Sequence, residues 1–91
     1  MDPNHGDHDG LPDRLRNLIR LGCALAVEAD ERIPGCVADC LTTGATRAEI
    51  MEILHTAVIM AEIRVDKYTA IVSGAIDRFG CAHRKGGDCS C

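Results

Sequence analysis

Cys36 and Cys40 stand one helical turn apart, in a stretch that opens on Pro34. In the first turn of a helix, free backbone N–H groups and the positive end of the dipole stabilise a thiolate. Cys36 occupies that turn and Cys40 lies near the other end, the asymmetry that an attacking and a resolving thiol require. The Cα atoms of a helical i, i+4 pair are about 6 Å apart with parallel Cβ vectors, so a disulfide needs the first turn to give way. Such a pair chelates a soft metal more readily, and both residues can equally be small hydrophobes beside Val37 and Leu41. His55 stands on a later helix, where an imidazole can serve as general acid or base near neutral pH, as a third metal ligand facing Cys36 and Cys40, or as an interface residue. The end of the chain carries Cys81, His83, Cys89 and Cys91 within eleven residues, with Gly86-Gly87 between them. Tetrahedral zinc or another soft metal accepts such a set, and thiols that exchange with a partner protein are the rival reading. His5, Asp7, His8 and Asp9 are weaker metal-ligand candidates in a solvated arm.

The elements that position these groups are helical. From Pro12 onward, Leu15, Leu18, Ile19, Gly22, Leu25, Ala26 and Ala29 recur with the spacing of an amphipathic helix that fades around Asp30 to Arg32. Gly22 and the alanines predict a close crossing with a neighbour. Pro34 can open a short second helix that Gly44 closes, with Cys36, Val37, Cys40 and Leu41 on one face. Thr46-Arg-Ala-Glu49 reads as a capping box. It starts a third helix with Ile50, Ile53, Leu54, Ala57, Val58 and Ala61 on one face, and with Met51, Ile59, Met60 and Ile63 apolar elsewhere. Asp66 to Phe79 continues with Tyr68, Ile71, Val72, Ala75, Ile76 and Phe79 inward and Gly80 as the stop. No glycine or proline separates Thr46 from Ser73, which leaves open one continuous rod in place of two helices. No segment alternates with period two. The expected fold is a small all-α bundle of three to four helices. It comprises a polar arm at residues 1–10, a helical domain at 11–80 and a Cys/His-rich tail at 81–91.

Composition narrows the function classes. Hydrophobic residues make up 46% of 91, while a core of roughly 70 residues seldom supplies more than about 3–5 kcal/mol without a staple, a metal or a partner chain. Together with an apolar third helix, this predicts a homo-oligomer, a trimer or hexamer. A net charge of −4 with one Tyr and one Phe argues against nucleic acid. No apolar run reaches spanning length, and the acidic start is unlike a secretory signal, so no membrane and a cytoplasmic location are expected. In that compartment the six cysteines are expected to be reduced, metal-bound or redox-active.

Leu18-Ile19 through Gly44-Ala45-Thr46-Arg-Ala-Glu49-Ile50 to Met60 resembles the core of the carboxymuconolactone decarboxylase / alkyl hydroperoxidase D-like family. Ile53-Leu54-His55-Thr56-Ala57-Val58 is similar to a segment of the lactone decarboxylase branch. The resemblance implies the fold and the oligomeric habit. The hydroperoxidase branch uses a glutamate, a Cys-x-x-Cys pair and a histidine. Counting back from Gly44, those positions hold Asn17, Ala29, Arg32 and Cys36, so ordinary hydroperoxidase turnover is expected to be weak or absent. Three functions are compatible with these residues. The leading one is a thiol redox protein of peroxidase or disulfide-reductase type using Cys36, with a thiol partner protein. The others are a His55-dependent decarboxylase or isomerase of a small carboxylate or lactone, with Arg32 as anion clamp, and a zinc- or copper-binding oligomer. Limiting alkylation is expected to reach Cys36 before Cys23 and Cys40.

Overall fold

The computed structural model describes residues 10–83, with side chains described through Gly80. Four helices run in the order α1 (Asp13–Ala26), α2 (Ile33–Thr42), α3 (Arg47–Ala61) and α4 (Val65–His83). They form the expected all-α bundle. α1 packs against both α2 and α3, α2 packs against α4, and α3 rests more lightly on α4.

Each helix buries one stripe at 3.6-residue spacing. On α1 this is Leu18, Leu21 and Leu25; on α2 it is Ile33, Val37 and Cys40. α3 contributes Ile50, Leu54 and Ala57, and α4 contributes Tyr68, Val72 and Ile76. Gly22 lets α1 approach α3, since a Cβ built there would lie 3.4 Å from the Ile53 side chain. The α3 N-terminus has the full capping box: Thr46 Oγ1 accepts from the Glu49 N–H at 3.1 Å, and Glu49 Oε1 accepts from the Thr46 N–H at 3.0 Å. Glu49 also pairs with Arg14 of α1, so one carboxylate caps α3 and ties it to α1. The Thr46 N–H bond, with help from Arg14, holds the Glu49 carboxyl below its ordinary range.

Helix ends depart from the expected bounds at three places. α1 stops at Ala26 instead of fading near Asp30. Glu28 takes a left-handed conformation (φ 57°); its N–H bonds to the Leu25 carbonyl, and the Ala29 N–H bonds to the Ala24 carbonyl at 2.9 Å. That is a Schellman ending with glutamate where glycine is usual. α2 ends in the same way on Gly44 (φ 97°), with Gly44 N–H to Leu41 and Ala45 N–H to Cys40. The continuous-rod alternative is excluded by Glu62, left-handed at φ 56°, which separates α3 from α4 while Ile63 inserts into the core. Gly80 does not stop α4, which runs to His83.

The α1–α2 turn is latched to α4. Tyr68, 1% exposed, donates its hydroxyl to Asp30 Oδ1 at 2.6 Å, and Lys67 Nζ meets Asp30 Oδ2 at 2.8 Å. The Lys67 and Tyr68 hydrogen bonds hold the Asp30 carboxyl below its ordinary value of 3.8. The bond to Asp30 raises both Lys67 and Tyr68 above theirs.

Two outcomes are expected. Glu62→Gly relieves the left-handed strain of a residue with a Cβ and stabilises the fold by up to about 1 kcal/mol; a rise in urea midpoint at unchanged slope checks it. The latch contributes at full strength across neutral pH. Its Asp30 contribution, from a depressed pKa, is present above the unfolded value near 3.8 and lost as pH falls through the lower folded value. The raised Tyr68 and Lys67 contributions are present below their ordinary values of 10.0 and 10.5 and lost as pH rises through the higher folded ones. Tyr68→Phe therefore lowers the melting temperature at pH 7, and by less below pH 3; an equal loss at both would show that the latch plays no part.

Candidate functional site

The side of α1 that faces α2 carries Arg20 and Cys23, three residues apart. The opening of α2 carries Arg32 and Cys36, four apart. Each element thus presents one guanidinium and one thiol at one-turn spacing. All four line a single groove of about 490 Å³ between the two elements, whose remaining walls are Ile19, Ala24, Val27 and Ala29. No carboxylate lines it. Arg14, Arg16, Arg47, Arg64 and Lys67 each pair with a carboxylate, whereas Arg20 and Arg32 pair with none among the described residues.

The groove owes its shape to the α1 ending. Reversal at Glu28 brings Ala29 and Arg32 back beside the last turns of α1. Asn17, lower on α1, donates its side-chain N–H to the Asp39 carbonyl at 3.3 Å and to Thr43 Oγ1 at 3.2 Å. These bonds fix α1 along the C-terminal half of α2, and the latch to Tyr68 and Lys67 fixes the other end.

The thiols differ from their expected ranking. Cys36 is half-buried, and its N–H already donates to the Arg32 carbonyl at 3.0 Å, so it lies past the free N–H groups of α2. Burial raises its pKa, Asp39 raises it further, and Arg20 and Arg32 oppose without prevailing. The expectation that Cys36 is the activated thiolate is corrected on that ground. Cys40 sits on the core stripe with no exposure and is pushed up to about 11, chiefly by burial and then by Cys36. Cys23, which the spacing within α2 did not bring into view, is exposed. The sequence signal that finds it is the recurrence of arginine with cysteine one turn on, in both elements.

His55 is exposed on α3, at a separate hollow of about 300 Å³ beside Met51, Glu52 and Ile59. It does not line the thiol groove, so Cys36, Cys40 and His55 do not form one centre in this chain. Cys89 and Cys91 lie outside the described residues. Cys81 and His83 fall in the last turn of α4, and their side chains lie outside them as well. Among the described residues no three His, Cys, Asp or Glu side chains gather as a metal site, and no helix is long and apolar enough to cross a membrane.

A family model, Carboxymuconolactone decarboxylase family, matches residues 4–72. The chain belongs to this family. No curated protein and no solved structure matches it. Ala29, Arg32 and Cys36, the positions reached by counting back from Gly44, all line the groove. Asn17, reached by the same count, serves the α1–α2 contact.

Limiting alkylation near neutral pH is expected to label Cys23 first, Cys36 more slowly and Cys40 last. Mass mapping of the modified peptides checks the order, and early labelling of Cys40 would show that α2 opens readily.

Proposed function

We propose that this carboxymuconolactone decarboxylase-family chain is a thiol-based redox protein whose working pair is Cys23 and Cys36. The observation that carries this reading is that an exposed and a half-buried thiol from different elements line one groove with two guanidinium groups that no described carboxylate pairs. Cys23, the accessible thiol, attacks as thiolate on the outer oxygen of an organic hydroperoxide. The O–O bond breaks, the alkoxide leaves and takes a proton as the alcohol, and Cys23 becomes a sulfenic acid. The Cys36 sulfur then displaces hydroxide, which leaves as water with the thiol proton, and a disulfide forms. An external dithiol, the thiol redox partner, returns both sulfurs to thiols by exchange. Cys40, buried and raised to about 11, is kept out of this cycle.

The lyase reading has less support, since His55 faces a different hollow from the arginine that would clamp a carboxylate. The metal-binding reading rests on tail ligands outside the described residues. A homo-oligomer remains part of the proposal, supported by Ile59, which is 73% exposed beside His55.

The test is oxidation of chelator-treated protein with one equivalent of an organic hydroperoxide, followed by disulfide mapping. A Cys23–Cys36 disulfide, absent in Cys23→Ser and Cys36→Ser and formed with loss of two thiols per peroxide, is expected. Steady turnover is expected to be slow, because a raised Cys36 pKa leaves little thiolate to attack the Cys23 sulfenic acid. Oxidation confined to the tail cysteines, with Cys23 and Cys36 both left as thiols, counts against the proposal.

A further inference from the structure

The groove between α1 and α2 does not end at Cys23. A second hollow, of about 270 Å³, shares Ile19 and Cys23 with it and runs on between α1 and α3 past Gly22, Ala26 and Met60. Both volumes have the scale of small-molecule sites, and the two form one trough with unlike ends. At the α2 end stand Arg20 and Arg32, neither paired with a carboxylate among the described residues and with no acidic side chain in the lining. Both line the same groove as Cys36, from different elements. At the α3 end the lining is almost wholly apolar, and the side chains along the way are exposed: Ile19 at 52%, Val27 at 73% and Met60 at 78%. A contiguous apolar strip left in water on so small a chain marks a surface that something covers.

We propose that this trough binds a single-tailed anionic amphiphile, with its carboxylate or similar headgroup between Arg20 and Arg32 and its tail laid over Ile19 and Cys23 toward Met60. Charge complementarity selects this occupant. In a chain of net charge −4, a carboxylate-free pocket flanked by two uncommitted guanidinium groups discriminates for anions, and a planar guanidinium meets a carboxylate with paired N–H donors. The acidic residues of the neighbouring turn leave both guanidinium groups without a salt bridge. Asp30 is held by Lys67 and Tyr68; Glu28 and Glu31 share an adjoining hollow with Arg32, but neither forms an ion pair with it among the described residues. The site rests on the shape and charge of the trough and not on any reaction of the thiols.

The experiment is calorimetric titration of the full chain with laurate below its micelle concentration, beside dodecanol, dodecyltrimethylammonium and butyrate. Laurate is expected to bind saturably at one site per chain. Butyrate, without a tail, and the cationic amphiphile, with the wrong charge, are expected to be at least about tenfold weaker. Replacing Arg20→Gln and Arg32→Gln together weakens laurate by about tenfold or more, as expected for lost charge-assisted contacts. Ile19→Asp does the same from the tail side. Laurate also slows alkylation of Cys23, which lies under the tail, while dodecanol at equal concentration slows it far less. The titration is run on fully reduced protein with no peroxide present, so failure of the redox reading leaves this result standing. Equal binding of the anionic, neutral and cationic chains, or laurate affinity unchanged in the double arginine variant, overturns the proposal. So does absence of saturable laurate binding; a stable oligomer by light scattering that Met60→Glu dissociates would then assign the strip to a second copy.

Discussion

Between α1 and α2 the chain reverses through Glu28, a residue with a Cβ held in the left-handed region, and this reversal fixes which side chains can share a groove. The conformation costs on the order of 1–2 kcal/mol without glycine, so something outside the turn must hold it. The Schellman bonds to Leu25 and Ala24 supply part. The rest comes from α4, distant in sequence, where Tyr68 and Lys67 grip Asp30 two residues beyond the reversal. Without that grip, α1 can run on toward Asp30 as its apolar stripe suggests, Ala29 and Arg32 move away from Cys23, and the groove is lost. The site therefore depends on α4 although no residue of α4 lines it.

The same contrast between local and distant causes explains which parts of the fold are legible in the sequence. Thr46 with Glu49, Gly44 and the prolines at the openings of α1 and α2 act within a turn of their own position, and all appear in the structure where local chemistry puts them. Glu28 and Glu62 are not legible, because glutamate carries no local preference for the left-handed region. Tertiary contacts just beyond each residue impose the conformation: the Asp30 latch in the case of Glu28, and the burial of Ile63 in the case of Glu62. Gly80 misleads in the other direction. A glycine weakens a helix by roughly 1 kcal/mol relative to alanine and does not break it, as Gly74 within α4 also shows.

The ranking of the thiols comes from comparing magnitudes. A helix dipole at a surface position is worth about 0.3–1 kcal/mol, less than the roughly 1.36 kcal/mol that moves a pKa by one unit. Burial can shift a group by several units. Placing Cys36 by its position at the start of α2 weighs the smaller effect, and Cys36 lies beyond the free N–H groups in any case. The apolar stripe is the better guide: Ile33, Val37 and Cys40 share one face at i, i+4 and i+7, so a cysteine on that face belongs to the core and not to a reactive pair. What no spacing within one element reveals is Cys23, because its partner lies across the α1–α2 hairpin.

Charge in the groove obeys the same comparison. An exposed ion pair contributes about 0–1 kcal/mol, so leaving Arg20 and Arg32 without a carboxylate costs the fold almost nothing, while pairing them would neutralise the groove. The other described arginines have structural work to do: Arg14 and Arg47 tie helices together through Glu49 and Asp77, Arg16 and Arg64 make local bonds at helix starts, and Arg78 lies over the Phe79 ring. Two guanidinium groups without such a task, on two different elements, bring positive charge to one groove of an acidic chain. That charge acts on whatever enters. It favours an anionic headgroup directly, and it tempers the rise that burial and Asp39 impose on Cys36. A bound anion would cancel part of this help, so an occupied groove holds Cys36 more firmly as a thiol than an empty one.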